Sequence, residues 1–173
     1  MRRVLVIGSP GAGKSTFSRR LATITGLDLI HLDRLYWKAG WVETPKDEWR
    51  EIVREKLKGE SWIMDGNYGG TMEMRLGSCD TVIYLDLSRF LCTWRVIKRV
   101  FQYGNEARPD IAPGCPERID LKFVMWTWRY PARSKPHVEE RLERVADSIT
   151  LYKLTSPREA EQFLARLESD GRV

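Results

Sequence analysis

Between residues 8 and 15 the chain reads Gly8-Ser9-Pro10-Gly11-Ala12-Gly13-Lys14-Ser15: a glycine, four residues, then Gly-Lys-Ser. That spacing suits a loop wrapped around a run of phosphates. Glycines let successive backbone N–H groups turn inward. A helix starting near Gly13 would aim the positive end of its dipole at the same anion. Lys14 can reach the β- and γ-phosphates as a point charge, Ser15 can ligate Mg²⁺, and Thr16 can donate on the α-phosphate side. ATP is the expected occupant, because no Asn-Lys-x-Asp segment for guanine occurs in the chain.

Three carboxylates stand at the ends of apolar runs. Asp65 and Asp86 could each face a metal through water, and Asp65 is preferred because it leads directly into Gly66-Asn67-Tyr68-Gly69. The plainer reading of either is a capped turn. Asp33, after Leu27 to Leu32, stands where open α/β sheets gather their ligands and could orient or deprotonate an attacking hydroxyl. Its plainer reading is a helix cap paired with Arg34. Trp37, Trp41 and Tyr68 fall in loops, where a flat apolar wall for a ring or base is plausible, although core packing would also explain them. Trp49 and Trp62 fit helix and strand interiors, and His31 reads as a packed strand residue.

These groups need a frame. Val4 to Ile7 is a short apolar run bounded by glycine, as a central parallel strand requires. Phe17, Leu21 and Ile24 then recur at helical spacing up to Gly26. Further strands are predicted at 27–32, 62–64, 81–85 and 149–154. Thr44-Pro45 is expected to cap a helix bearing Trp49, Ile52, Val53 and Leu57, and a long helix is expected over 88–103. Ser156-Pro157-Arg158-Glu159 resembles a capping box opening a last helix with Ala160, Phe163, Leu164 and Leu167 inward. Strands alternating with helices imply a parallel sheet with right-handed crossovers.

The 173 residues suit a single domain (1–173), long enough to bury a core without disulfide or metal staples. Residues 34–60 read as a helical insertion on the acceptor side. Residues 104–147 break the rhythm with a Gly/Pro-rich loop and two helices separated near Pro131 to Pro136, and read as a lid. Ten Lys or Arg against four Asp or Glu fall between Arg89 and Lys135, a balance of +6 in a chain of net charge +5. Within it, Arg129, Arg133 and Lys135 could swing over a triphosphate, and Arg133 is preferred because a proline-bounded turn would expose it. The odd count of cysteines (Cys79, Cys92 and Cys115), without metal-ligand spacing, fits a reducing compartment, and a cytoplasmic location is expected. No run is long enough to span a bilayer.

Together these residues resemble the nucleoside-monophosphate-kinase-like branch of P-loop kinases, in element order over nearly the whole chain. The resemblance implies an α/β three-layer sandwich with a five-stranded parallel sheet in order 2-3-1-4-5, helices on both faces and an inserted helical lid. Asp65-Gly66 is similar to the pair that opens the adenylate kinase substrate loop. Arg95 and Arg99 fall where adenylate kinases place two arginines, one packed on adenine and one on the transferring phosphate. His31-Leu32-Asp33, Tyr36-Trp37, Gly40-Trp41, Asp65-Gly66-Asn67-Tyr68 and Cys115-Pro116 look more specifically like the adenylate-kinase-related DNA topology modulation proteins. Shikimate and gluconate kinases look similar in placing a carboxylate at the position of Asp33. One departure stands out: adenylate kinases carry an arginine four residues past the Asp of Asp-Gly, and here that position is Gly69. Arg75 or Arg34 is the expected substitute.

The expectation is therefore an ATP- and Mg²⁺-dependent kinase acting on a nucleotide or a hydroxylated metabolite. The competing expectation is a nucleic-acid-associated ATPase, with Arg118, Arg129 and Arg133 on phosphates. No DNA-reading motif supports it.

Overall fold

The computed structural model describes residues 1–103, 110–116 and 120–170. Five parallel strands form the sheet: β1 (Arg3–Gly8), β2 (Leu29–His31), β5 (Trp62–Asp65), β6 (Thr81–Leu85) and β7 (Thr150–Leu154), in spatial order β2-β5-β1-β6-β7. Two further strands, β3 (Trp37–Lys38) and β4 (Val42–Glu43), stand apart as an antiparallel ribbon. The helices are α1 (Lys14–Thr25), α2 (Leu32–Tyr36), α3 (Lys46–Leu57), α4 (Met72–Leu76), α5 (Arg89–Tyr103), α6 (Leu121–Arg133), α7 (Lys135–Glu143) and α8 (Pro157–Asp170).

The two-residue period of a strand sends successive side chains to opposite faces, and β1 is apolar on both because both are covered. Leu5 and Ile7 join Met64, Val82 and Tyr84 under α3, α4 and α7, contributing Trp49, Val53, Met72, Val138 and Leu142. Val4 and Val6 join Ile63, Ile83 and Leu85 under α1 and α8, through Phe17, Leu21 and Leu164. The expected α/β sandwich with a five-stranded parallel sheet is the fold observed. Because all strands run parallel, β1, β2, β5 and β6 end on one edge, and the loops that follow them collect there.

Four local expectations are corrected. The ribbon β3–β4 replaces a plain loop. Thr44 does not cap α3: its N–H and hydroxyl both donate to the Tyr36 carbonyl (3.0 and 2.6 Å), closing the ribbon, and the helix begins bare at Lys46. The two helices part at Ser134, within the expected 131–136 interval, but Pro131 lies inside α6 and does not bound the turn. Within 104–147, α7 belongs to the core through Val138 and Leu142 rather than to a free lid. The Gly/Pro-rich loop falls partly outside the described residues.

The last helix is capped by Ser156 as its pattern suggests, with only the reciprocal carboxylate bond shifted by one residue. The Glu159 N–H donates to Ser156 Oγ (3.2 Å), and the Glu159 carboxylate accepts from the Thr155 N–H (2.7 Å). No helix among the described residues is long and apolar enough to cross a membrane.

Candidate active site

The turn from β1 into α1 is shaped by close backbone approach. Gly8 has φ +147°, and a Cβ there would lie 2.5 Å from the Leu85 carbonyl oxygen; Gly11 has φ +75°, and a Cβ there would lie 2.2 Å from the Cys92 oxygen. Only glycine lets the loop lie this tightly against β6 and the start of α5. Gly13 (φ +92°) holds the left-handed turn from which α1 starts, without a side-chain cap. The first-turn N–H groups of α1 therefore keep their capacity for an anion. Pro10, Gly11, Ala12, Gly13, Lys14 and Ser15 line a cleft of about 1240 Å³, and Thr16 joins them. Gly8 and Ser9 lie beneath it, buried.

Lys14 Nζ donates to the Gly8 and Ser9 carbonyls (3.0 and 3.1 Å). Burial lowers its pKa from the ordinary lysine value, while the charges of Asp33 and Asp65 pull the other way. The ammonium is thus held inside the loop, near two carboxylates. Arg95 reaches over the same loop, with Nη1 3.3 Å from the Ala12 carbonyl. Arg99, one turn further on α5, lines the cleft with its guanidinium 5.9 Å from the Phe123 ring centre.

Asp33 sits in the first turn of α2 and lines the same cleft. Its carboxylate accepts a hydrogen bond from the Tyr68 hydroxyl at 2.6 Å. Burial, then the Asp33 charge, raise the Tyr68 pKa far above the ordinary phenol, so Tyr68 remains a donor. Tyr68 packs against Tyr36 (4.7 Å between ring centres) and Trp49 (5.0 Å). Trp37 and Trp41 also line the cleft, edge to face at 5.3 Å, backed by Ile111 and Cys115. They are packed and cleft-facing at once.

Two expected acceptor residues are corrected. Arg34 is exposed and stands outside the cleft, because α2 turns its neighbour Asp33 inward instead. Arg75 is fully buried; its Nη1 donates to Gly66 O (2.9 Å) and its Nη2 to Tyr68 O (3.1 Å) and to Asn67 O. Its guanidinium is spent on the loop after β5 and does not face an acceptor. Burial lowers its pKa, but arginine starts high enough to stay charged.

Asp65 is 4% exposed and sits at the end of β5 with Oδ1 2.9 Å from His31 Nδ1. Its Oδ2 is buried without a hydrogen-bond partner. A buried carboxylate oxygen of this kind suits a counter-charge held through water, and Ser15 lines the cleft with a hydroxyl of the type that could ligate one. No group of three or more His, Cys, Asp or Glu that could cage a metal occurs among the described residues. A metal here would be carried mostly by phosphates and water, as Mg²⁺ commonly is. Asp86 is occupied by Lys135 (2.7 Å) and Lys153 (3.3 Å), a structural role.

Of the basic residues expected to close over the triphosphate, Arg133 lines the cleft, Lys135 is held by Asp86, and Arg129 is exposed outside it. Arg133 is presented by the end of α6, not by a proline-bounded turn. Arg118 lies outside the described residues.

Some residues were given no role of their own at the site from the sequence. Asn67 clamps the phosphate loop: its Nδ2 donates to Gly8 O (2.8 Å) and its Oδ1 accepts from Gly8 N (3.0 Å). His31 partners Asp65. Arg141, on α7, lines the cleft beside Gly69. Only the position of Asn67, directly after Asp65-Gly66, carried a local signal.

No family model matches the chain. A shikimate kinase of Rhodococcus jostii (strain RHA1) is 32% identical over 131 residues, covering 67% of this chain and 74% of that protein. A shikimate kinase of Rhodococcus erythropolis (strain PR4 / NBRC 100887) is 32% identical over 130 residues, covering 66% and 73%. Among solved structures, a shikimate kinase from Bacteroides thetaiotaomicron aligns over 99% of both chains with TM-score 0.53 and 15% identity, a likeness of fold.

Proposed function

This chain belongs to the shikimate kinase family of P-loop kinases, ATP-dependent phosphotransferases, and we propose that its acceptor is a small hydroxylated metabolite whose attacking hydroxyl is received by Asp33. The observation that carries the reading is the Asp33 carboxylate, in the cleft that Lys14 also lines and anchored by Tyr68 at 2.6 Å. Phosphoryl transfer is mostly alignment and charge neutralisation. The glycine loop and the start of α1 bind the phosphates, with Lys14 on the β- and γ-oxygens. Arg95 covers the nucleotide side, and Arg99 and Arg133 supply charge toward the transferring group. Asp33 orients the acceptor hydroxyl and can take its proton as the oxygen bonds to the γ-phosphorus and the bond from that phosphorus to the departing ADP oxygen breaks.

Mg²⁺ fits Ser15 as a ligand, with Asp65 as the anion behind it, and when bound would neutralise charge on the β- and γ-oxygens. A nucleoside monophosphate is the less favoured acceptor, because Gly69 offers no arginine and Arg75 is committed to backbone carbonyls. The motifs from His31 to Asp33 and from Asp65 to Tyr68 place the chain, in our reading, near the adenylate-kinase-related DNA topology modulation proteins. That placement adds no reaction. Three buried free cysteines suit a reducing cytoplasm.

ADP release from ATP and Mg²⁺ should be measured against shikimate, other hydroxylated acids and nucleoside monophosphates. Asp33→Asn is expected to keep ATP affinity and to lose transfer by about 10²–10⁴-fold. Faster transfer to nucleoside monophosphates, or full transfer by Asp33→Asn, would refute the proposal.

A further inference from the structure

We infer that the outer face of the helix pair α5 and α6 is a docking surface for an anionic lipid bilayer. Phe90, Trp94 and Phe101 recur on α5 at intervals of four and seven residues, and Leu121, Met125 and Trp128 on α6 at four and three. At that spacing each trio forms one stripe along its helix. All six side chains are exposed, Phe101 and Leu121 by 76% each, and none of them lines the cleft. Arg95 and Arg99 of α5 and Phe123 and Tyr130 of α6, which do line it, stand on the opposite side of their helices.

The two stripes form one surface. α6 packs antiparallel on α5: Phe90 and Trp128 meet edge to face with ring centres 5.0 Å apart, and the Arg99 guanidinium lies 5.9 Å from the Phe123 ring centre. From Phe90 to Phe101 the face runs about 16 Å along the helix axis. Its four rings alone leave on the order of 500 Å² of apolar surface in water. Leu121 and Met125 bring it to the size at which an exposed patch marks an interaction site.

Charge decides the occupant. α5 carries four Lys or Arg and α6 three, and neither helix carries an Asp or Glu. Arg89, Lys122 and Arg129 are exposed outside the cleft; Lys122 and Arg129, seven residues apart, share one flank of the α6 stripe. The Arg89 guanidinium stands over the Trp128 ring, 5.3 Å from its centre. Apolar groups bordered by cations are what a helix lying in a headgroup layer presents: rings and aliphatic chains enter the acyl boundary while the cations stay with the phosphates. A second copy seated on this face would set like charges against one another, which opposes self-association. A nucleic acid strand would use the cations and rings but gains little from Leu121 and Met125. The side chains project outward and line no groove, so a fluid surface fits them better than a folded peptide does. The contact is peripheral, because no helix among the described residues is long and apolar enough to cross a membrane. Docking on this side leaves the cleft open on the other.

The test floats the full chain with vesicles of phosphatidylcholine, with and without phosphatidylglycerol, and follows tryptophan emission. The protein should bind the anionic vesicles about tenfold or more tightly than the neutral ones, shift its emission to the blue, and lose affinity as salt rises. Trp94→Ser combined with Phe101→Ser should weaken binding by about tenfold or more. Lys122→Gln combined with Arg129→Gln should weaken it by roughly 10- to 30-fold. Both variants should bind a fluorescent ATP analogue within about twofold of wild type, as substitutions away from the core and the cleft do. The charge variant keeps the test decisive where the ring variant fails to fold. The inference is overturned if the protein floats with neither vesicle or equally with both, or if either folded variant binds as wild type does. A dimer in solution that the ring substitutions dissolve would overturn it too, as would a single-stranded oligonucleotide bound more tightly than the anionic vesicles. None of these outcomes depends on which acceptor the cleft takes.

Discussion

Replacing Arg75 by methionine separates a structural arginine from a substrate-binding one. The guanidinium is fully buried and donates to three successive carbonyls, of Gly66, Asn67 and Tyr68. A hydrogen bond from a charged donor contributes about 1.5–3 kcal/mol. Methionine can fill the space, next to the Met72 sulfur that already contacts Nη2 at 3.7 Å, but takes the Arg75 donor from the Gly66 and Asn67 carbonyls, while Tyr68 O keeps the Thr71 N–H at 3.0 Å. Two effects soften the loss: the charge no longer has to be desolvated, and Nε is buried without a partner in the wild-type protein. The net cost should fall near that of removing one partner of a buried ion pair, about 3–5 kcal/mol.

Against a total stability of about 5–15 kcal/mol that is a large fraction. At roughly 2–4 °C per kcal/mol for a chain of this size, Tm should drop by about 6–20 °C. Urea titration of Arg75→Met gives the stability change, and KM for ATP and acceptor measured well below the lowered Tm gives the functional one. Arg75→Lys should recover only part of the stability, because one ammonium cannot fork to three carbonyls. A loss under about 1 kcal/mol combined with a raised acceptor KM would refute the reasoning and return Arg75 to the acceptor side.

Tyr68→Phe removes the donor to Asp33 but keeps the ring against Tyr36 and Trp49, so kcat should fall about tenfold or more while the KM for ATP stays constant in steady-state assays. Gly11→Ala forces a Cβ to 2.2 Å from the Cys92 oxygen at a positive φ; binding of a fluorescent ATP analogue should fall by two orders of magnitude or more, on the order of 3 kcal/mol. Asp80 ties down the start of β1 by accepting from Arg2 N and Arg3 N, and its pKa is lowered: burial alone would raise it, but hydrogen bonds from Thr81, Arg3 and Arg2 outweigh that. A depressed carboxylate stabilises above its unfolded pKa, near 3.8, and loses that contribution as pH falls through the folded value. Asp80→Asn should therefore cost about 0.5–1 kcal/mol at pH 7, and the difference from wild type should vanish in melts near pH 2.5.

The parts legible in the sequence are those whose cause is local. The apolar run Val4 to Ile7, the glycine spacing from Gly8 to Gly13 and the helical repeat of Phe17 and Leu21 each lie within one element, and the structure places them as their periodicity demands. The place of Asp33 in the cleft was legible because the carboxyl end of a strand is where such sheets gather their ligands. The rest depends on contacts distant in sequence. Asn67 meets Gly8 across 59 residues, and Arg141 reaches Gly69 from a helix whose core-facing side could only be assigned once packed. The strands β3 and β4, two residues each, are too short to show a period. Arg75 misled for a physical reason: an arginine near a substrate loop has the same composition signal whether it grips an anion or the loop itself, and only burial decides.

The loop Gly66-Asn67-Tyr68-Gly69 joins both halves of the reaction. Asn67 pairs with both backbone groups of Gly8, which fixes this loop to the phosphate cradle. Tyr68 holds Asp33, which on the proposed function receives the acceptor hydroxyl, and its backbone is held from beneath by Arg75. Gly69 lies against Arg141. In-line transfer demands that the attacking oxygen and the γ-phosphate keep one registered separation, because small misplacements cost orders of magnitude in rate. A single rigid four-residue segment bonded to donor and acceptor sides meets that demand with few degrees of freedom. Two of its residues, Gly66 at φ +132° and Tyr68 at φ +34°, adopt backbone angles unusual for side-chain-bearing residues. A Cβ at Gly66 would also meet Leu32, the neighbour of Asp33, at 3.0 Å. The glycine therefore brings β5's loop close enough to α2 for Tyr68 to reach the carboxylate. The strain at Tyr68 is sustained by Arg75 and by the ring packing around it, and alignment, not an added chemical group, is what that strain secures.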